Sequence, residues 1–169
     1  MKMTSAEAAK AVKKLQQEYD ALLRKESLSR EFVAALGEDP ESVRPEYDYS
    51  AAQAEIAEIE RKIRVIKHAL NVFNCTHTVP GFNMTVDQML VYIPQLSAKV
   101  TKLTAMKAKL PKMRVEQRYG GSSNIIDYTY INYDLPTVTA DCAAVGEELS
   151  RAQLALDAFN VSQTFEVEF

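Results

Sequence analysis

Hydrophobic positions fall into four rows at helical spacing along the chain. The first row is Ala8, Val12, Leu15, Tyr19 and Leu22. Its spacings alternate between four and three, which places the side chains on one stripe of a helix. The register passes through the polar Glu26 and Ser29, then resumes at Val33 and Leu36 before Gly37. Thr4 and Glu7 supply a capping box at the start, and Gly37 suits a C-terminal cap. Unbroken, this first helix measures about 48 Å.

The second row is the most regular. Ile56, Ile59, Ile63, Ile66, Leu70 and Phe73 form a heptad seam, the pattern of helices that pack at shallow angles. Ser50 is the candidate cap at its start and Asn74 its stop, because Asn tolerates the left-handed conformation. A third row, Met89, Ile93, Leu96, Val100, Leu103, Met106 and Leu110, follows a second capping box at Thr85 and Gln88. Pro94 sits inside it and predicts a kink or an early end, and Pro111 marks its limit. The fourth row is Cys142, Val145, Leu149, Ala152, Leu156 and Phe159, led in by Pro136 with Thr137 or Thr139 and stopped at Asn160.

The intervening stretches read as turns and short strands. Residues 37–49 hold two prolines and a glycine, which predicts a loop with at most one short turn. Residues 75–84 predict an extended piece and a Pro80-Gly81 turn. Residues 113–119 and 125–133 flank a Gly-Ser loop and predict a β-hairpin arm. In its second strand Ile126, Tyr128 and Tyr130 share one face, and Ile125, Thr129, Ile131 and Tyr133 the other. Residues 164–169 alternate Phe165, Val167 and Phe169 with Glu166 and Glu168, a one-sided strand. The expected fold is mainly α: a long antiparallel helical hairpin and bundle of four helices, with a small β-hairpin and a short C-terminal strand, in one domain.

The ends of the second and fourth helices repeat one another. Residues 69–79 (ALNVFNCTHTV) run parallel to residues 155–165 (ALDAFNVSQTF). Both read as a helix, a Phe-Asn stop and a polar strand with Thr at the same place. The reading is two related helix-to-strand corners, each anchored by its Phe and turned by its Asn, whose strands pair with one another.

Charge adds a pattern that the net value of −3 conceals. Residues 37–60 hold eight acids against Arg44, and residues 134–169 hold seven against Arg151. Residues 99–118 hold seven bases, Lys99, Lys102, Lys107, Lys109, Lys112, Arg114 and Arg118, against Glu116. The ordinary outcome is that acidic and basic helices face one another or are solvated. With Met106, Leu110 and Met113, the basic run also has the makings of a surface for an anionic partner such as lipid. A chain of 169 residues, 25% charged and 47% hydrophobic, has the composition of a folded globular domain. Its balance gives no global case for nucleic acid. The opening MKMTSAEAAK lacks the apolar core of a signal peptide, and no run of about 18 apolar residues exists, so a cytoplasmic location is expected.

Candidate chemistry is thin. Cys75 and Cys142 form no CxxC pair, and Cys75, His77 and His68 fall short of the three or four ligands zinc requires. No acid adjoins Cys75 and His77 to orient a nucleophile pair. Glu55, Glu58 and Glu60 resemble the magnesium-binding acids of all-helical nucleotide pyrophosphohydrolases, which need a second acidic pair on a neighbouring helix. Glu147 and Glu148 are adjacent and do not share a helix face. Gly120-Gly121-Ser122-Ser123 lacks the Lys-Thr/Ser ending of a P-loop. No cofactor, metal, small-molecule ligand or catalytic residue is assigned.

One resemblance covers most of the chain. The order of a long hairpin, an Asn-rich helix end (Asn71, Asn74), a helix start from Thr85 to Leu90, a basic third helix, a Gly-Ser loop with a Tyr-bearing arm, and a last helix ending Asp157–Asn160 resembles the bacterial septicolysin-like proteins. That resemblance implies a helical chain and, by the family's name, cytolysin-like activity at membranes; it carries no functional residues across. The expected function is a non-enzymatic helical interaction or structural protein that self-associates as a homo-oligomer, with Ile56, Ile59, Ile63, Ile66, Leu70 and Phe73 as the seam. The alternatives are a membrane-active protein using the basic segment and a magnesium-dependent helical nucleotide hydrolase.

Overall fold

Side chains that cap helices set the chain's organisation. The computed structural model describes residues 1–115 and 127–169, and most of these are helical. Thr4 and Glu7 bond reciprocally, the Thr4 hydroxyl accepting from the Glu7 amide at 3.2 Å and the Glu7 carboxylate from the Thr4 amide at 2.8 Å. Thr85 and Gln88 do the same at 3.2 and 2.9 Å. Both capping boxes stand where the sequence places them, and each satisfies two amides that a helix start otherwise leaves open. The mainly α fold with small antiparallel strand pairs is the observed one.

Two units make up the chain, residues Met1–His77 with Asp157–Phe169, and residues Thr78–Leu156. The first contains β1 (Lys2–Thr4), α1 (Ser5–Ser29), the short α2 (Pro40–Val43), α3 (Tyr49–Thr76), the end of α5 (Leu135–Ser162) and β6 (Thr164–Glu166). Helix α1 packs along α3. Ile56, Ile59, Ile66 and Phe73 of the isoleucine row are buried, and Ile63 and Leu70 are half-buried. Opposite them α1 contributes the buried Ala8 and the half-buried Val12, Leu15, Tyr19 and Leu22. Strand β1 pairs antiparallel with β6, Met3 opposite Phe165 and Thr4 opposite Thr164. Met3, Phe165 and Val167 are buried. The Phe73 ring lies 5.1 Å from that of Phe165 and 5.9 Å from that of Phe159, with His77 stacked on it at 4.3 Å. Each such buried aromatic or aliphatic side chain contributes about 1.5–3 kcal/mol.

The second unit begins with β2 (Thr78–Val79) and β3 (Met84–Thr85), paired antiparallel. Pro80 and Gly81 turn the chain between them: the Phe82 amide donates to the Val79 carbonyl at 3.3 Å, and Gly81 has a φ of 84°. Proline before a positive-φ glycine is the arrangement of a type II turn. Helix α4 (Val86–Lys107) buries Val86, Met89, Leu96 and Leu103. It runs through Pro94 without ending, so of the two alternatives, a kink or an early end, the early end is absent. Strands β4 (Lys112–Arg114) and β5 (Tyr128–Tyr130) form the expected arm. Its Gly-Ser loop, with Ile125, Ile126 and Arg118, lies outside the described residues.

Several boundaries differ from the sequence reading. Helix α1 stops at Ser29 instead of running to Leu36; the last capping bond runs from the Arg30 amide to the Glu26 carbonyl at 2.9 Å. Val33 and Leu36 have no apolar surface to cover them, so nothing offsets the cost of extending the helix. Gly37 instead sits in a turn where the Glu38 amide reaches the Ala35 carbonyl. Helix α3 starts one residue before Ser50, on an Asp48 cap whose carboxylate accepts from the Ala51 amide. Asn74 and Asn160 do not end their helices, which continue to Thr76 and Ser162. The Thr76 and Ser162 hydroxyls fold back onto the Phe73 and Phe159 carbonyls, and the next residues' amides bond the same two carbonyls. Finally, the strands after these corners do not pair with each other. One finds β3 and the other finds β1.

That last correction extends the repeat to almost the whole chain. In each half a Met-Thr strand ends in a capping box and a long helix; then come a connection, an Asp-capped 28-residue helix, a Phe-Asn corner and a strand. Asp134 caps α5 by accepting from the Thr137 amide, as Asp48 caps α3. Tyr47 and Tyr133, each one residue before its Asp, both tie back to the preceding long helix, Tyr47 to the Glu26 carboxylate of α1 and Tyr133 to the Met106 carbonyl of α4, at 2.8 Å each. Met3 faces Phe165 as Met84 faces Val79, and Thr4 faces Thr164 as Thr85 faces Thr78. The strands are exchanged: the first strand of one half pairs with the last of the other.

Removing the aromatic anchor is the direct check on this core. Phe73→Ala is expected to lower the free energy of unfolding by about 3–5 kcal/mol in urea denaturation followed by circular dichroism. Val33→Ala, on exposed chain, is expected to change it by less than about 0.5 kcal/mol.

Candidate functional site

The six described cations of the basic run are carried by the end of α4 and by the arm that follows it. Lys99, Lys102 and Lys107 stand on α4, Lys109 on the exit from it, and Lys112 and Arg114 on β4. All six are exposed. The seventh, Arg118, lies outside the described residues. Among the described residues no ion pair joins any of the six to an acid. On α5, Glu148 is taken by Arg151 of the same helix and accepts from the Tyr92 hydroxyl of α4 at 3.3 Å. The six described cations therefore stand exposed, with no acid of a described helix paired to them.

The arm is held rigidly at its root. The Ile131 amide donates to the Pro111 carbonyl at 3.2 Å and the Val115 amide to the Asp127 carbonyl at 2.9 Å, extending the ladder beyond both strands. On one face Lys112 lies opposite Tyr130 and Arg114 opposite Tyr128. The Lys112 ammonium sits 4.1 Å from the Tyr128 ring and 5.4 Å from that of Tyr130. Cation–π contact of this kind, about 0.5–1 kcal/mol at exposed sites, keeps the charge at the arm's surface.

Two groups of exposed apolar side chains lie in and beside the interhelical connections. From the end of α1 to the start of α3, Leu28 is 75% exposed, Val33 91% and Leu36 108%, with Phe32, Val43 and Tyr49 also open. Between α4 and α5, Leu110, Met113, Val115, Tyr128 and Tyr130 are exposed. Sequence reasoning counted Val33 and Leu36 as helix stripe and so missed the first group. The signal was there in Glu26 and Ser29, polar at two consecutive stripe positions. The isoleucine row, by contrast, is covered inside the single chain.

The weaker chemical candidates are tied up locally. Both oxygens of Glu58 accept from the Arg61 guanidinium at 2.8 and 2.9 Å, with the Lys62 ammonium at 3.6 Å. These hydrogen bonds and charges hold its carboxyl down to about 2. A carboxylate so occupied is a poor magnesium ligand. Cys75 and His68 are exposed, while His77 is stacked on Phe73. Cys142 lies 3.6 Å from the Thr104 hydroxyl. Among the described residues no three His, Cys, Asp or Glu side chains gather as metal ligands. No described helix is long and apolar enough to cross a membrane. A scan against family models and searches of curated proteins and of solved structures each return no match.

Glu58 gives a pH dependence of defined sign. Its folded pKa, about 2, lies below the ordinary 4.5. Its contribution to stability is therefore complete above 4.5 and is lost as pH falls towards about 2. Glu58→Gln should lower the urea midpoint at neutral pH. The gap from the wild type should close across that acid window and shrink in high salt, since the pair is half exposed. A gap constant with pH would show that the ion pair does not act.

Proposed function

We propose that the protein is a non-enzymatic interaction module that self-associates through the apolar surface of the α1–α3 connection. The observation that supports this is the exposure of Leu28, Val33 and Leu36 within a few residues of one another in sequence. Monomeric proteins leave large apolar side chains exposed singly, whereas grouped ones mark contact surfaces. Ile56, Ile59, Ile66 and Phe73 of the isoleucine row are buried within the single chain and offer a second copy little surface. A patch used by identical copies closes most simply as a twofold dimer, in which each copy offers the same residues.

A second reading draws on the basic run and on the resemblance to septicolysin-like proteins. In it the chain is membrane-active, with the solvated cations of α4 and β4 lying on an anionic surface. Exposed lysines next to Leu110 and Met113 have the make-up of an interfacial segment.

The first reading is tested by mass. Light scattering across a concentration series should show wild-type protein above the mass of one chain. Val33→Asp combined with Leu36→Asp should return it to one chain with its helical circular dichroism intact. Wild-type protein that stays a single chain at the highest concentration removes the proposal.

A further inference from the structure

The arm and the C-terminal end of α4 border an open groove of about 580 Å³. Small-molecule sites typically span about 300–1,000 Å³ and are apolar, with a few placed polar groups. Leu110 borders the groove as the chain leaves the helix, and Met113 and Ile131 border it from the arm. The Tyr133 hydroxyl, donating to the Met106 carbonyl at 2.8 Å, ties the two sides of the groove to each other. Lys102 and Lys109, two turns apart, both stand in its lining, and among the described residues no acidic side chain does. Neither lysine is paired to an acid among the described residues.

We propose that this groove binds a single-chain anionic amphiphile, a long-chain carboxylate or its like, with the chain along the apolar wall and the head group between Lys102 and Lys109. The charge of the lining selects the occupant. A neutral chain gains the apolar wall alone, a cationic one meets two like charges, and an anionic one gains both wall and ammonium groups. Lysine stems lie along apolar surface while their charged ends reach the edge, which suits a head group held at the rim. The inference stands apart from self-association, because the apolar patch of that reading belongs to the α1–α3 connection.

The experiment is a calorimetric titration of the full chain with laurate below its micelle concentration, beside dodecanol and dodecyltrimethylammonium. Saturable binding of one laurate per chain is expected, with weaker binding of the other two. Lys102→Ala with Lys109→Ala should weaken laurate binding by about fivefold or more. Leu110→Asp, at an exposed position that folding tolerates, should abolish it, and Lys99→Ala, outside the lining, should leave it unchanged; circular dichroism confirms that each variant is folded. No saturable binding, equal binding of the cationic chain, or indifference to both groove variants would overturn the proposal. So would association with anionic vesicles without laurate binding, which makes a membrane surface the occupant. A change of mass in Leu110→Asp without laurate binding in the wild type assigns the groove to a second copy and also overturns it.

Discussion

Phe73 is the contact on which the first unit depends. Its ring meets Phe165 of β6 and Phe159 of α5, and it is 1% exposed. Through these two neighbours one side chain near the middle of the sequence binds the C-terminal segment to the hairpin of α1 and α3. Strand β6 in turn holds β1, and β1 delivers Thr4 to the capping position of α1. Loss of the ring would undo that sequence of contacts from the centre.

The repeat explains why so short a set of strands suffices. Each strand has two or three residues, too few to be stable as an isolated hairpin. Four of the described strands adjoin a helix end, however: β1 and β3 lead into α1 and α4, and β2 and β6 follow α3 and α5. Exchange of the first and last strands between halves also ties each half to the other's corner by backbone hydrogen bonds. The two corners match in detail: a buried Phe, an Asn whose side-chain oxygen is buried without a partner among the described residues, and a hydroxyl that closes the final turn.

Helix existence and the buried faces were legible, because three-and-four spacing is a direct record of which side chains meet. Ile66, Met89, Ala152 and Phe159 were all read from it, and all are buried. The capping boxes were equally clear, since both partners lie within one turn. Long-range choices were not legible. Nothing local in Thr78-Val79 distinguishes β3 from β6 as its partner, and β1 is too short to show an alternation. The Asp48 and Asp134 caps were overlooked in favour of hydroxyls nearby. Of the candidate surfaces, the basic run could be read because charge is a property of single residues. The groove beside it could not, since it exists only where the arm returns to the end of α4.

Function on this account lies in the connections and the core in the helices. The repeat fixes both corners, and the two connections are then free to differ: one carries Val33 and Leu36, the other a charged aromatic arm. Native-state hydrogen exchange tests the central claim most directly. If the aromatic contact ties both ends of the chain together, the amides of Met3, His77 and Phe165 open with one common free energy, equal to that of the middle of α3. Rapid, independent exchange at Met3 and Phe165 while α3 stays protected would contradict it.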